Sequence, residues 1–150
     1  MEHEHITQEW VLERFDEVYP VHLSALWRLL VELRHHFDGD LDSMLILLAI
    51  SVGTERDDWR VALLDKWQPK RRTRPTNTLS LSQSTGIARE SVRRKLDALS
   101  ARGWIVRDAK GNWEPTRAAA ETLQPATLET VEYLRRIFAA GLGAKPASEA

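Results

Sequence analysis

The segment from Leu79 to Thr116, LSLSQSTGIARESVRRKLDALSARGWIVRDAKGNWEPT, constrains the fold more than any other part of the chain. It reads as helix, tight turn, basic helix and a short two-stranded ribbon. Val92, Leu96 and Leu99 recur at i, i+4 and i+7 and define the buried face of a helix over Arg89 to Ala101. Arg89, Glu90, Ser91, Arg93, Arg94 and Lys95 occupy its other faces, offering guanidinium forks and a hydroxyl outward. Gly86 stands where a short inter-helix turn needs a residue free to take positive φ, with Ser80 to Thr85 as the preceding helix. Gly103 ends the basic helix, and Trp104, Ile105 and Val106 begin a strand. Asp108 to Asn112 supplies the loop and Trp113 begins the return strand. Such an arrangement is one that places a helix into a DNA groove.

These residues resemble the winged helix-turn-helix of bacterial transcription regulators, most closely the MarR-like group. The resemblance is carried by Leu81, Thr85-Gly86-Ile87, Arg89-Glu90-Ser91-Val92, Arg94, Leu96, Leu99 and Arg102-Gly103-Trp104-Ile105, and it covers roughly a third of the chain. It implies that Ser91, Arg93 and Arg94 meet the major groove and that Lys110 lies at the wing tip. Two positions depart from the pattern. Glu90 stands where a small polar residue is common, although a glutamate can accept from cytosine N4, and the wing loop holds one lysine, with Arg107 at its base. In MarR-like proteins the N- and C-terminal helices together build a dimer interface, and helices are expected at both ends here.

Charge distribution supports a polyanionic partner. Between Lys66 and Arg107 eleven basic residues face only Glu90 and Asp97, a block of +9 inside a chain of net charge −1. Arg89, Arg94 and Lys95 are expected to fix phosphates, Ser91, Arg93 and Glu90 to face base edges, and Arg107 and Lys110 to reach backbone or minor groove. Arg71, Arg72 and Arg74 belong to a basic, two-proline stretch, QPKRRTRPT, which reads either as an arm following phosphates or as an exposed loop whose charges face water.

Elsewhere the pattern is helical. Ile6 to Tyr19 carries a stripe of Trp10, Val11, Phe15 and Val18 behind the candidate cap Thr7, and Pro20 marks a new start. Leu23, Leu26, Leu30, Leu33 and Phe37 then step by 3, 4, 3 and 4, a seam that suits packing within one subunit or between two. Asp38-Gly39-Asp40 breaks the chain. Asp40 or Asp42 can cap a helix from Leu41 to Val52, which Gly53 closes and whose apolar character implies burial on most sides. Trp59, Leu63 and Trp67 suggest a further helix over Asp58 to Trp67. Beyond the ribbon, Thr116 caps a short helix to about Gln124 that Pro125 ends, and a last helix runs from Leu128 to Ala140.

Other chemistry finds little footing. With no cysteine there is no disulfide, thiolate metal site or thiol-based sensing. Asp38, Asp40 and Asp42 alternate as calcium ligands do, but Ser43 and Ala49 stand where such a loop needs Gly and Glu. His35 and His36 are adjacent and point about 100° apart on a helix. No nucleophile elbow, phosphate-binding glycine loop or HExxH occurs, so neither an enzyme nor a cofactor is expected. The six tryptophans read mainly as core, with a pocket for a small aromatic effector as the alternative. The longest apolar run, Met44 to Ile50, is too short for a bilayer and the polar, acidic N-terminus is no signal peptide, so a cytoplasmic chain without membrane contact is expected.

The expected architecture is therefore mostly α with a small β-wing: residues 1–67 as an N-terminal helical dimerisation region, 68–76 as a basic linker, 77–124 as a winged helix-turn-helix, and 125–150 as a C-terminal helix and tail. The function expected is that of a homodimeric, sequence-specific reader of double-stranded DNA. A winged-helix protein-interaction module is the alternative.

Overall fold

The computed structural model describes residues 6–55, 59–60, 63–64, 71–72 and 74–143. It is mostly helical, and its strands form two antiparallel pairs. The chain divides into two compact units, one made of residues up to Glu32 together with those from Leu128 onward, the other running from Leu33 to Thr127.

In the first unit, α1 (Gln8–Glu13) opens on Thr7, whose side chain accepts from the Trp10 amide. The helix breaks at Arg14, and α2 (Phe15–His36) runs on past the proline that was expected to start it. Pro20 sits in the second turn of α2. Its fixed φ is helical, and its missing N–H forgoes a single bond. The last helix, α7 (Gln124–Gly141), likewise begins earlier than expected, with Pro125 in its first turn, where an amide has no helical partner in any case. His22 Nδ1 and the Tyr133 hydroxyl share a 2.8 Å hydrogen bond, and Arg28 pairs with Glu129 at 3.2 Å. Apolar stripes remain uncovered in the single chain: Leu23, Trp27, Leu30 and Val31 on α2, and Leu128, Val131, Leu134 and Phe138 on α7, with Trp27 71% exposed.

The second unit holds the core. Helix α3 (Leu41–Val52) packs on α4 (Thr78–Thr85) and α5 (Arg89–Ala101). Ile46 and Ile50 from α3, Leu81 from α4, and Val92, Leu96 and Leu99 from α5 are all essentially solvent-free. Each such side chain contributes about 1.5–3 kcal/mol. Phe37 and Trp104 meet edge to face at 5.2 Å between ring centroids and close one side of this cluster. Burial of α3 on most sides was expected from its composition. Only one face is covered, because α4 and α5 lie against it there, and Leu41, Leu45, Leu48 and Val52 stay exposed along the other.

Backbone geometry links these helices. Asp40 caps α3, its side chain accepting from the Ser43 amide at 3.1 Å. Between α4 and α5, Gly86 takes φ +73°. The Ser82 hydroxyl donates to the Ile87 carbonyl at 2.7 Å and the Thr85 hydroxyl to the Leu81 carbonyl at 2.7 Å, so the turn is stitched on both sides. After α5, β3 (Ile105–Arg107) pairs antiparallel with β4 (Trp113–Pro115), in the register Ile105 to Pro115 and Arg107 to Trp113. This small antiparallel ribbon is compatible with a wing. Helix α6 (Arg117–Thr122), capped by Thr116 as expected, leads to α7.

A second pairing was not anticipated. β1 (Thr54–Glu55) pairs antiparallel with β2 (Arg71–Arg72) inside a stretch that reads as an arm or linker, because its backbone amides and carbonyls find partners just beyond α3. The helix expected over Asp58 to Trp67 lies, apart from residues 59–60 and 63–64, outside the described residues.

Candidate nucleic-acid interface

The expected contact residues fall on three elements of the second unit: the outer face of α5, the β3–β4 ribbon and the approach to α4. Helix α5 starts without a side-chain cap at Ala88, and Glu90 supplies negative charge to its positively polarised first turn. Arg89 and Arg94 are exposed and have no carboxylate partner among the described residues. Arg94 Nη2 reaches the half-buried Ser91 hydroxyl at 3.4 Å.

Arg93 is held on both sides. Its Nε donates to Glu90 Oε2 at 3.1 Å and its Nη2 to Glu90 Oε1 at 2.7 Å, while Nη1 donates to Asp97 Oδ2 at 3.1 Å. The Arg93 hydrogen bond, set against a small desolvation cost, holds the Glu90 carboxyl below the ordinary range, and Glu90 in turn raises Arg93. A bidentate pair extended by a third charge is the exposed geometry with the best claim to persist in water.

Lys95 faces inward rather than toward a partner. Its Nζ donates to Asp40 Oδ2 at 2.7 Å, and both side chains are about two-thirds covered. Burial alone would raise the Asp40 carboxyl, but the hydrogen bonds of Lys95 and of Ser43 outweigh it and hold Asp40 below the usual range. Arg102, one of the eleven basic residues in the block, donates from Nη2 to the His36 carbonyl at 2.9 Å and lies 3.8 Å over the Trp104 ring. Asp38 and Asp40, both outside the +9 block, thus draw two of its charges back toward the protein.

On the ribbon, Lys110 is exposed at the tip and Arg107 lies near the Trp113 ring, 5.8 Å from its centroid. Asp108 Oδ1 accepts from the amides of Lys110 and Asn112, both at 2.9 Å, which fixes the tip. Thr76 extends the ribbon: the Trp113 amide donates to the Thr76 carbonyl at 3.2 Å, the Thr76 amide to Asn112 Oδ1 at 2.9 Å, and the Thr76 hydroxyl to the Trp113 carbonyl at 2.7 Å. Arg74 is exposed two residues before it, and its amide donates to the Gly53 carbonyl. Arg71 and Arg72 lie in β2.

Sequence reasoning missed Thr76, Asn112 and the two aspartates that engage α5. Trp104 is core and Trp113 half-buried, and an apolar cavity of about 430 Å³ between Leu48, Val52, Pro75 and Leu81, with Arg74 and Ser84 at its walls, has no tryptophan in its lining. Trp67 lies outside the described residues. Among the described residues no group of three or more His, Asp or Glu side chains is placed to hold a metal, and no helix is long and apolar enough to cross a membrane. Comparison of the chain with protein-family models, with curated proteins and with solved structures finds no match.

Proposed function

We propose that the chain is a dimeric, sequence-specific DNA-binding regulator that uses α4, the Gly86 turn, α5 and the β3–β4 ribbon as a winged helix-turn-helix of MarR-like type. The observation that carries the reading is the outer face of α5. It rises from a packed α3–α4–α5 core, and its first two turns present the exposed Arg89 and Arg94 with the half-buried Ser91 between them. Arg89 and Arg94 supply phosphate contacts, Ser91 and Arg93 meet base edges, and Arg107 and Lys110 reach the flanking backbone. The uncovered stripes of α2 and α7, each a run of large apolar side chains, suit burial against a second copy.

A protein-interaction reading draws on a specific feature of the same face: Glu90 and Asp97 interleave with the arginines, giving a mixed rather than uniformly basic surface. Retention of genomic fragments at two salt concentrations separates the two readings. Selective retention supports the regulator, and no retention at low salt supports the interaction module.

A further inference from the structure

The partners of Arg93 differ from those of every other arginine on α5. A guanidinium carries five N–H groups. Three are taken, two by Glu90 and one by Asp97, which stand three residues before and four residues after Arg93 on one helix face. One N–H remains on each terminal nitrogen. Two donors on one fork are what a guanine accepts at O6 and N7.

The local charge is also telling. Two carboxylates paired with one guanidinium weaken its pull on a phosphate, whereas Arg89 and Arg94 form no ion pair with a carboxylate among the described residues. A long, mobile side chain would lose much of its rotamer freedom on docking. Arg93 is already fixed along the helix while its side chain stays 57% exposed. Both oxygens of Glu90 are engaged by Arg93.

We propose that Glu90 and Asp97 are positioning residues that hold the Arg93 guanidinium for one guanine, making Arg93 the residue that sets preference at a single base-pair step. This rests on the DNA-binding reading above. The carboxylates lower general affinity for DNA and raise discrimination.

The test is selection of duplex fragments by the full chain at one salt concentration, comparing the native protein with R93A and with the isosteric double variant E90Q/D97N. The native protein is expected to select a G·C pair at one position in each half-site. E90Q/D97N should retain as much or more total DNA while its preference at that position falls roughly tenfold and other positions keep theirs. R93A should lose the same position. Unchanged preference in E90Q/D97N overturns the proposal, as does a preference that survives in R93A but is lost in E90Q/D97N, since Glu90 would then read the base itself. Absence of any retained fragment with the native protein overturns the DNA-binding reading and the proposal together, whereas selective retention with unchanged preference in E90Q/D97N overturns the proposal alone. Side-chain relaxation of Arg93 Nε–H needs no DNA: it should be ordered in the native protein and mobile in E90Q/D97N, and a mobile native Arg93 contradicts the clamp.

Discussion

Lys95 Nζ donates to Asp40 Oδ2 at 2.7 Å, which ties the middle of α5 to the residue that caps α3. One carboxylate thereby caps the start of one helix and is tied to another, since its other contacts are the Ser43 amide and hydroxyl. Together with Arg102 on the His36 carbonyl, it anchors α5 to the Phe37–Asp40 turn at two heights.

Asp40 should make stability depend on acid. Its folded carboxyl is held below the ordinary value, so as pH falls the unfolded chain takes up the proton first. The stabilisation is complete above the unfolded value and disappears as pH drops through the folded one. Urea denaturation between about pH 6 and pH 3 should show a shallower loss for Asp40→Asn than for the native chain. Asp40→Ala should in addition cost about 1 kcal/mol at neutral pH through the lost cap. Equal acid slopes for Asn and Asp would remove the ion pair from the account.

Gly53 has an ordinary φ of −70°, so its lack of a side chain is explained by its neighbour alone. A Cβ there would lie 2.6 Å from Thr76 Cγ2, and Thr76 cannot retreat because it is buried and its hydroxyl is bonded to Trp113. Gly53→Ala should destabilise by about 1–3 kcal/mol. Adding Thr76→Ser deletes the opposing methyl and keeps the hydroxyl, so the double variant should be more stable than the sum of the two single losses. Strict additivity in a denaturation cycle would contradict this packing.

How far the sequence reveals such features depends on the range of the interaction. The buried face of α5 is visible because Val92, Leu96 and Leu99 repeat with the helix, and Gly86 is visible because only a turn needs it. The Lys95 partner is 55 residues away, and periodicity places Lys95 off the core stripe without saying what else approaches it. Thr76 follows a proline in a basic stretch and resembles linker, since a single residue extending a ribbon leaves no period to detect. Pro20 and Pro125 were read as boundaries because proline lacks a donor, yet Pro125 lies in a first turn, where that loss costs nothing, and Pro20 sits within α2, which forgoes one bond there. Within the candidate site, the Glu90–Arg93–Asp97 spacing is local and was available in the sequence; what residue type alone conceals is that Arg93 is already engaged.

The division of cations on α5 predicts different salt behaviour for neighbouring residues. Arg94→Ala should reduce the slope of log affinity against log salt by about 1, whereas Lys95→Met should leave that slope unchanged, because Lys95 is spent on Asp40. DNA titrations at four or more salt concentrations measure both. A slope change for Lys95→Met equal to that of Arg94→Ala would return Lys95 to the phosphate contacts.

The most direct measurement is retention of genomic fragments by the purified chain at about 50 and 200 mM salt, followed by sequencing of what is held. The account predicts that a small subset survives the higher salt and shares an inverted repeat with half-sites roughly one helical turn apart, as a two-fold dimer of this fold requires. Absence of retention at the lower salt, or uniform retention without a shared sequence, would contradict it.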